Sequence, residues 1–389
     1  MSPSSKTIYW DYNATAPVRK TVKTRIAEAL DRYPGNPSSM HSLGQSARAY
    51  IERVRRKAAE SLGVDPGEVI FTGSATETNL FALRGYWLAN KKSASPTPKV
   101  LASRIEHPSV CKNLDFLAET EGIEIVEIPR LASGLTDFSK MEELLNSQKF
   151  WLISLHGASN ETGIIQDWNK VAGLAARYRT PMHSDMVQFF GRMPLSFQGS
   201  PLNSATISFH KSGGVRSCSL FYLKKDTAWI PCLVGGAQEK KRWAGTENIL
   251  GIASIDALFD ELPAMIEGYQ GPVRKIRDEF EQRLMKAVPE VKIVGQDVDR
   301  LPNTSYCIFP GLPSDALLMA LDVSDICASA GSACSSGLSL PSSTLQKLGY
   351  SQKEAQSAIR FSLGETCCDT QIDKVIEVIQ TAIARFKTK

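Results

Sequence analysis

The sequence predicts an α/β protein with a mainly parallel sheet, followed by a smaller α+β domain. The chain has 389 residues, of which 42% are hydrophobic and 22% charged, so it has a globular composition and enough length for two domains. Short apolar runs alternate with helical patterns from about residue 70 to residue 225. Beyond residue 248 the pattern changes to long amphipathic helices.

The first predicted strand, VIFTG at 69–73, leads into the helical stretch ETNLFALRGYWLAN. Three similar pairs follow it: KVLASRI with HPSVCKNLDFLAET, IEIVEIP with FSKMEELLNS, and FWLISLHG with NKVAGLAARYR. Strands and helices that alternate at this spacing form βαβ units, which place helices on both faces of a parallel sheet. SATISFH (204–210) and SLFYLKK (219–225) leave little room for a helix between them, which predicts an antiparallel edge.

The second half of the chain predicts a separate α+β domain. Its elements are the helix RKIRDEFEQRLMKAV, the strands VKIVG and TSYCIFP, and the closing segments LQKLGY, AQSAIRFSLG and IDKVIEVIQTAIARFK. We therefore expect a large domain over residues 15–255 and a small domain formed by residues 1–14 and 256–389.

The charge and the cysteines argue against several classes of protein. Lys plus Arg number 45 against 41 Asp plus Glu, which gives no reason to expect direct nucleic-acid binding. No segment approaches the ~18 apolar residues of a membrane span, and the start MSPSSKTIYWDYN lacks the regions of a signal peptide, so we expect a cytoplasmic protein. Eight cysteines show no CxxC and no zinc-like spacing, which predicts free thiols and no metal site.

One thiol stands out, because Cys334 lies in the segment SAGSACSSG, where every neighbour is small or weakly polar. Free cysteine is usually a small buried hydrophobe, but this segment offers it no apolar wall. The thiol therefore either has no function or acts on another group that it has to reach. The pair Cys367 and Cys368 is a weaker candidate for a redox role, because few perturbing charges surround it.

Polar residues close several of the predicted strands, and ligands of open α/β sheets bind outside the carboxyl ends of the strands. The loop GSATETN opens a helix, so it suits a phosphate, the alternative being a plain N-cap by Ser74 or Thr76. Asp185 is either a helix N-cap or the counter-ion of a protonated ring nitrogen, with Gln188 nearby. Lys211 is either a surface charge or a partly desolvated amine that forms a Schiff base. A phosphate at GSATETN, a counter-ion at Asp185 and a Schiff base at Lys211 would together form a pyridoxal phosphate site.

Ten motifs carry a resemblance that covers nearly the whole chain. They are DYNATAP (11–17), GNPSSMHSLG (35–44), FTGSATETN (71–79), EHP (106–108), SNETG (159–163), HSDMVQ (183–188), SFHK (208–211), AGTEN (244–248), GSACSSG (331–337) and IRFSLG (359–364). In this order the set resembles the cysteine desulfurases, the NifS-like members of the class V aminotransferase family. The resemblance implies fold type I of the pyridoxal phosphate enzymes, with a mainly parallel seven-stranded sheet and a small domain that carries the catalytic cysteine.

The resemblance also implies roles around a pyridoxal 5'-phosphate cofactor. Lys211 would hold the cofactor and then act as the base, Asp185 would keep its ring nitrogen protonated, and Gln188 would bond its phenolic oxygen. His107 would stack on the ring and carry protons, with Asn160 close by. The phosphate would be held by a further set of residues, namely Ala75, Thr76, Ser208, His210 and, across the interface of a homodimer, Thr246.

For the substrate, L-cysteine, the resemblance implies Asn160, Asn36 and Arg360, with the planar arginine favoured for clasping the carboxylate. Cys334 would take the sulfur as a persulfide, leave alanine behind, and pass the sulfur to an acceptor protein, such as an iron–sulfur scaffold or a tRNA-thiolation protein. An unperturbed thiol has a pKa of about 8.5, so the site has to assist its deprotonation.

The chain departs from the family's pattern at HKSGGVRSC, where HKxxGPKG is common, at Trp243, where an arginine is common, and at LHGASNETG. Two other hypotheses remain open: a selenocysteine lyase or class V aminotransferase, and a non-catalytic relative that acts as a binding partner. Cys334 favours a desulfurase over a transaminase, which needs no such thiol. The presence of Lys211, Asp185 and His107 argues against a non-catalytic relative.

Overall fold

The computed structural model describes residues 7–92, 97–331 and 341–387. The strands are β1 (Ile8–Tyr9), β2 (Val69–Thr72), β3 (Lys99–Ala102), β4 (Glu124–Glu127), β5 (Leu152–Ser154), β6 (Met182–Asp185), β7 (Ser204–Ser208), β8 (Ser219–Leu223), β9 (Lys292–Ile293), β10 (Thr304–Ile308), β11 (Ile326–Cys327) and β12 (Ala358–Ser362).

The helices alternate with these strands in the first half of the chain. They are α1 (Lys20–Arg32), α2 (Ser42–Leu62), α3 (Ala75–Asn90), α4 (Pro108–Glu121), α5 (Phe138–Ser147), α6 (Trp168–Arg177), α7 (Gln238–Lys241), α8 (Ile249–Gly268), α9 (Arg274–Ala287), α10 (Ser314–Val323), α11 (Ser343–Lys347), α12 (Gln352–Ala355) and α13 (Ile372–Lys387). A π-helical turn, Tyr269–Val273, joins α8 to α9. Within the described ranges, none of these helices has the length and apolar character that a membrane crossing requires.

The central sheet has seven strands in the order β2-β8-β7-β6-β5-β3-β4. All neighbouring pairs are parallel except those of β8, which runs antiparallel to both β2 and β7. The predicted mainly parallel sheet is confirmed, and so is an antiparallel strand after residue 204.

The predicted position of that antiparallel strand at an edge is wrong, because β8 lies inside the sheet. All five residues of Ser219–Leu223 are buried, as expected of a strand covered on both faces. The edge strands are instead β2 and β4. The glutamates Glu124 and Glu127 of β4 are exposed, and charged side chains on an edge strand disfavour pairing with other strands.

The strand directions bring the candidate site together. Since β2 and β7 are both antiparallel to β8, they run parallel to each other, and the carboxyl ends of β2, β3, β5, β6 and β7 meet at one edge. The register pairs Asp185 with Thr206, so the last residue of β6 lies beside the middle of β7. The polar residues at these strand ends are therefore neighbours, although Ser74 and Lys211 are 137 residues apart in sequence.

The two largest hydrophobic clusters lie around the large sheet and around the C-terminal elements. The first includes residues of α8 as far as Met265, whereas the second contains Tyr269 and also Ile8 to Ala16 of the N-terminal segment. In the second cluster, Trp10 meets Phe280 edge-on with ring centroids 5.0 Å apart. The domain limits at residues 14 and 255 stay a prediction, and α8 continues through the second of them.

Candidate active site

A cavity of about 320 Å³ opens at the edge where the parallel strands end. Ten of the residues singled out in the sequence line it: Ala75, Thr76, His107, Asn160, Asp185, Gln188, Ser208, His210, Lys211 and Arg360. The N-terminal segment adds Asn13 and Ala14, and the turn after Lys211 adds Arg216 and Ser217.

Three predicted site residues are not among the residues that line the cavity. Asn36 is exposed, and its side-chain oxygen accepts a hydrogen bond from the Ser38 N–H at 2.9 Å. Thr246 is also exposed in the single chain. Cys334 lies outside the described residues. The roles of these three residues stay predictions.

The N-terminus of α3 is both capped and open to the cavity. The Ser74 hydroxyl accepts from the Glu77 N–H at 3.3 Å, and the Glu77 carboxylate accepts from the Ser74 N–H at 2.6 Å. This capping box does not use the N–H groups of Ala75 and Thr76, and both residues line the cavity. The helix N-terminus therefore favours an anion at this end of the cavity.

The carboxylate of Asp185 is held on both oxygens and does not cap a helix. No helix begins at this position, since the residues that follow form a turn within the described chain. Oδ1 accepts from the Val187 N–H at 2.9 Å, and Oδ2 accepts from Asn79 Nδ2 at 2.8 Å. Asp185 is 8% exposed and lines the cavity, so a cationic ring nitrogen in the cavity would meet a fixed carboxylate.

A chain of buried hydrogen bonds behind Asp185 was not predicted from the sequence. Asn79 Nδ2 donates to Asp185 and to the Ser109 hydroxyl, so Asn79 Oδ1 is the acceptor facing His183 Nε2 at 3.2 Å. His183 must then carry its proton on Nε2 and accept from the Ser204 hydroxyl through Nδ1, 2.9 Å away. The Ser204 oxygen in turn accepts from the Tyr86 hydroxyl. The motif TETN contains Asn79, but its partner on β6 is visible only in the fold.

The imidazole of His107 is oriented by the helix that follows it. His107 is the N-cap of α4, Pro108 is the first helical residue, and Nδ1 accepts from the Ser109 N–H at 3.1 Å. Because a backbone N–H can only donate, the neutral ring carries its proton on Nε2. Burial, and then the charge of Lys211, lowers the pKa of His107 to about 4, so the ring is neutral at physiological pH.

Lys211 lies in the short 3-10 turn His210–Ser212 that follows β7. Gly213 ends this turn with φ +90°, and an added Cβ would lie 2.6 Å from the Arg19 side chain, so only glycine fits there. Burial, and then the Lys211 charge, lowers the pKa of His210 to about 4. Lys211 thus has two neutral imidazoles near it, and neither histidine adds a second positive charge.

The guanidinium of Arg360 is almost completely buried, at 1% exposure, and is fixed by two acceptors. Nη2 donates to Asp11 Oδ1 at 2.8 Å, and Nη1 donates to the Asn160 carbonyl at 2.9 Å. Arg360 Nε has no hydrogen-bond partner among the described residues. Since Arg360 and Asn160 both line the cavity, they are placed to share one carboxylate ligand.

Both ends of the segment that carries Cys334 lie beside the cavity wall. Glu161, the neighbour of Asn160, accepts from the Ser342 hydroxyl at 2.6 Å. At the other end, a Cβ on Gly331 would lie only 2.9 Å from Glu161 Oε2, and the φ of Gly331 is +77°. The same carboxylate therefore contacts the described residues on each side of positions 332–340.

The whole chain matches proteins of one family. The family model of the class V aminotransferases covers residues 8–375. An IscS-like cysteine desulfurase of Mycobacterium tuberculosis is 32% identical over 381 residues, which are 97% of this chain and 97% of the relative. The chain belongs to the class V aminotransferases, in the NifS-like cysteine desulfurase group. The resemblance found in the motifs is thereby confirmed.

Solved structures of this family share the fold. The X-ray structure of a NifS-like protein from Rickettsia africae has a TM-score of 0.85 and 32% identity, over 97% of this chain and 99% of that one. The structure of SspA in complex with cysteine has a TM-score of 0.80 and 26% identity, over 92% and 99% of the two chains. The predicted fold type is confirmed.

Besides Cys334, this class V aminotransferase has seven cysteines, which are all described. All seven have free thiols, and none of them lines the cavity. Burial raises the pKa of Cys111 to about 11 and that of Cys307 to about 12, so these thiols stay protonated. Cys367 is buried, and Cys368 is exposed. The described cysteines therefore offer no thiol that shares the cavity with Lys211.

Sequence reasoning missed several residues of the site. His156 lines the cavity, with Nδ1 3.6 Å from the buried carboxylate of Glu106 and with Nε2 unpartnered among the described residues. Burial raises the pKa of Glu106. His156 lies in LHGASNETG, one of the segments that depart from the family's sequence pattern, but its partner Glu106 follows a different strand. Asp11 was likewise hidden, although it begins the motif DYNATAP.

The buried His183 predicts that stability falls as the pH falls from about 6.5 to about 4. Burial lowers its pKa to about 4, so in this range the unfolded chain binds a proton that the folded chain does not. His183 alone contributes a slope of about 1.4 kcal/mol per pH unit, and His107 and His210 act in the same direction. Urea unfolding of the wild type and of His183→Gln between pH 7 and pH 4.5 measures this slope.

The glutamine can donate to Asn79 and accept from Ser204, as the neutral imidazole does, but it does not titrate. We expect a shallower slope in the variant, whatever its stability at pH 7. Equal slopes in the two proteins would show that His183 does not resist protonation in the folded state.

Proposed function

We propose that this protein is a pyridoxal phosphate-dependent desulfurase that converts L-cysteine to L-alanine and takes the sulfur onto Cys334 as a persulfide for an acceptor protein. One observation supports it above all: a single cavity contains Lys211, the fixed carboxylate of Asp185, a helix N-terminus and the fork of Arg360. Membership of the cysteine desulfurase group supports the choice of substrate.

The donor set of the cavity fits pyridoxal phosphate. Its phosphate suits the α3 N-terminus at Ala75 and Thr76, together with Ser208 and His210, and its ring nitrogen suits Asp185. When bound, the cofactor supplies an electron sink for negative charge next to the amino group of a bound amino acid. Among the described residues, Asp185 is the only acidic one that lines the cavity, so this part of the chain provides one counter-ion for one cationic nitrogen.

The residues of the chain divide the remaining work. Lys211 binds the cofactor through its amine and, once displaced, its Nζ accepts the proton from the α carbon of the substrate. His107 packs as a neutral ring with its proton on Nε2. Arg360 and Asn160, which both line the cavity, are placed to receive the substrate carboxylate, with Asp11 holding the guanidinium plane.

Sulfur transfer needs a thiolate that reaches the substrate sulfur. The sulfur of Cys334 forms an S–S bond with the substrate sulfur, and the C–S bond breaks with its electron pair left on the carbon side, which takes up a proton and becomes alanine. The persulfide then passes its outer sulfur to an acceptor or, with a reductant, releases sulfide. Both described ends of the segment containing Cys334 lie at Glu161, beside the cavity, which supports this role.

The test of this function is a direct assay on the purified protein loaded with cofactor. With L-cysteine and a thiol reductant, alanine and sulfide should form in equal amounts. Amino transfer from cysteine to an added oxo acid, with no release of sulfide, would instead indicate an aminotransferase. A strong preference for selenocysteine would indicate a selenocysteine lyase. The cytoplasmic location and the identity of the acceptor protein remain predictions.

Cys334→Ser should stop sulfide and alanine production while leaving cofactor binding intact, because only sulfur transfer uses this thiol. Wild-type protein given cysteine without reductant should gain one sulfur atom on the peptide that contains Cys334, measured by mass spectrometry. The matched control is Cys368→Ser, which removes an exposed thiol outside the cavity and should keep full activity. Sulfide release by the Cys334 variant would remove this residue from the mechanism.

Arg360→Lys and Asp11→Asn should each raise the KM for cysteine by about tenfold or more, because both disturb the fork that receives the carboxylate. Cofactor absorbance should change little in either variant. The control is Arg300→Lys, which alters a buried arginine paired with Glu281 away from the cavity. Loss of cofactor binding in parallel with the rise in KM would assign Arg360 a structural role.

A homodimer is expected, with Thr246 completing the phosphate site of the other subunit. Light scattering checks the mass, and mixed dimers check the cross-subunit role. Lys211→Ala and Thr246→Asp should each be inactive alone, but reassembly of the two should restore roughly a quarter of the wild-type activity, since half of the dimers contain one intact site of two. If Thr246 served its own subunit, no activity would return.

A further inference from the structure

Arg192 is a buried cation directly behind the cavity wall. It lies in the turn after β6, and its guanidinium is 1% exposed. Its terminal nitrogens donate to the side-chain oxygen of Gln188, to the Tyr12 carbonyl at 3.0 Å and to the Lys211 carbonyl at 3.1 Å. One side chain thus connects three segments that contribute to the cavity.

The positive charge of Arg192 is not compensated. None of the described aspartates and glutamates forms an ion pair with it, and its Nε has no hydrogen-bond partner among the described residues. The other titratable or charged groups around it are Tyr269, on the π-helical turn with its ring 5.8 Å away, Arg360 on β12, and Lys211 with His210 after β7. None of these is an anion at neutral pH, because burial raises the pKa of Tyr269.

An unpaired buried charge is costly, so it is retained only where the rest of the fold enforces it. The burial does lower the pKa of Arg192, but an arginine stays protonated in proteins. A cation of this kind lowers the energy of any negative charge that a ligand brings into the adjacent cavity. Arg192 is therefore a buried positive charge that no acidic side chain of the described residues neutralises.

Arg192 also determines which way Gln188 faces. The amide oxygen of Gln188 accepts from Arg192, so the amide nitrogen is the group left to donate, and one of its hydrogens reaches the Asn13 carbonyl at 3.3 Å. Because Gln188 lines the cavity, its second N–H can only offer a hydrogen bond to a ligand oxygen. A flipped amide would place two donors against the guanidinium.

We propose that Arg192 is a positioning residue that prepares this side of the cavity for an anionic oxygen, which in the proposed function is the phenolate of pyridoxal phosphate. It holds the Gln188 amide with its N–H toward the cavity, and its positive charge stabilises a negative oxygen bound there. The inference rests on the proposed cofactor. A wild-type protein that binds no pyridoxal phosphate would refute the proposed function, whereas the variants below test Arg192 alone.

The readout is the pH titration of the absorbance of the cofactor bound to Lys211, which requires no turnover. A nearby positive charge favours loss of the proton shared by the lysine nitrogen and the phenolic oxygen, so it lowers the pKa of the bound chromophore. Arg192→Met should raise that pKa by about one unit, a tenfold change in proton affinity, because it removes the charge. Arg192→Lys keeps a charge but loses the fork, so the rise should be smaller.

A second variant covers the case in which Arg192→Met does not fold. Gln188→Glu keeps an acceptor for Arg192, but its carboxylate both compensates the Arg192 charge and replaces the N–H that Arg192 directs into the cavity, so the chromophore pKa should rise here too. The matched control is Arg277→Met, which removes a buried arginine that bonds the carbonyls of Leu301 and Thr304 and pairs with Asp278. The control should lose stability without a change in the chromophore pKa.

The result expected is a raised chromophore pKa in the Arg192 and Gln188 variants and a wild-type value in the Arg277 variant. A folded, cofactor-loaded Arg192→Met or Gln188→Glu protein with the wild-type pKa would overturn the proposal. So would an equal shift in the Arg277 control, since a general loosening of the fold would then account for both.

Discussion

The N-terminal segment joins the two hydrophobic cores at the cavity, and the geometry of the site depends on Asn13 within it. Its Nδ2 donates to Thr304 at 2.9 Å and to the Asn160 carbonyl at 3.4 Å, and its N–H donates to Ser362 at 3.0 Å. Its own carbonyl accepts from Gln188. Every polar group of this residue is therefore used, and the strand that carries Arg360 is held against the ends of the parallel strands.

Burial decides the protonation of the groups around the cavity. Three of the histidines near it, His107, His183 and His210, have a pKa lowered to about 4, chiefly because burial penalises the charged ring. Lys211 and Arg216 also line the cavity, and three further charged groups are held in place by hydrogen bonds: the carboxylate of Asp185 and the guanidinium groups of Arg192 and Arg360. These charges lie on different walls, so a ligand with separate anionic and cationic groups can be oriented by the protein alone.

The parts of the site that were predicted are those whose signal is local. Lys211 and Ala75 follow strands and Asp185 ends one, and a parallel sheet brings such strand ends to one edge. The interior position of β8 could not be predicted in the same way, because a short, mostly apolar strand has the same sequence pattern at an edge and in the middle of a sheet. The hydrogen bond of Asn79 to Asp185 joins positions 106 residues apart, and only the packing of α3 on the sheet creates it.

The sequence by itself determined the order of strands and helices, the family, and ten of the residues that line the cavity, because periodicity and motifs are properties of neighbouring positions. The tertiary structure alone decided which partners hold those residues. Asp11 meets Arg360 across 349 residues, and Arg192 reaches the Lys211 carbonyl from a different strand end. Such contacts depend on how strands align and helices pack. Many core residues together determine that packing, so no single sequence position reveals the contacts.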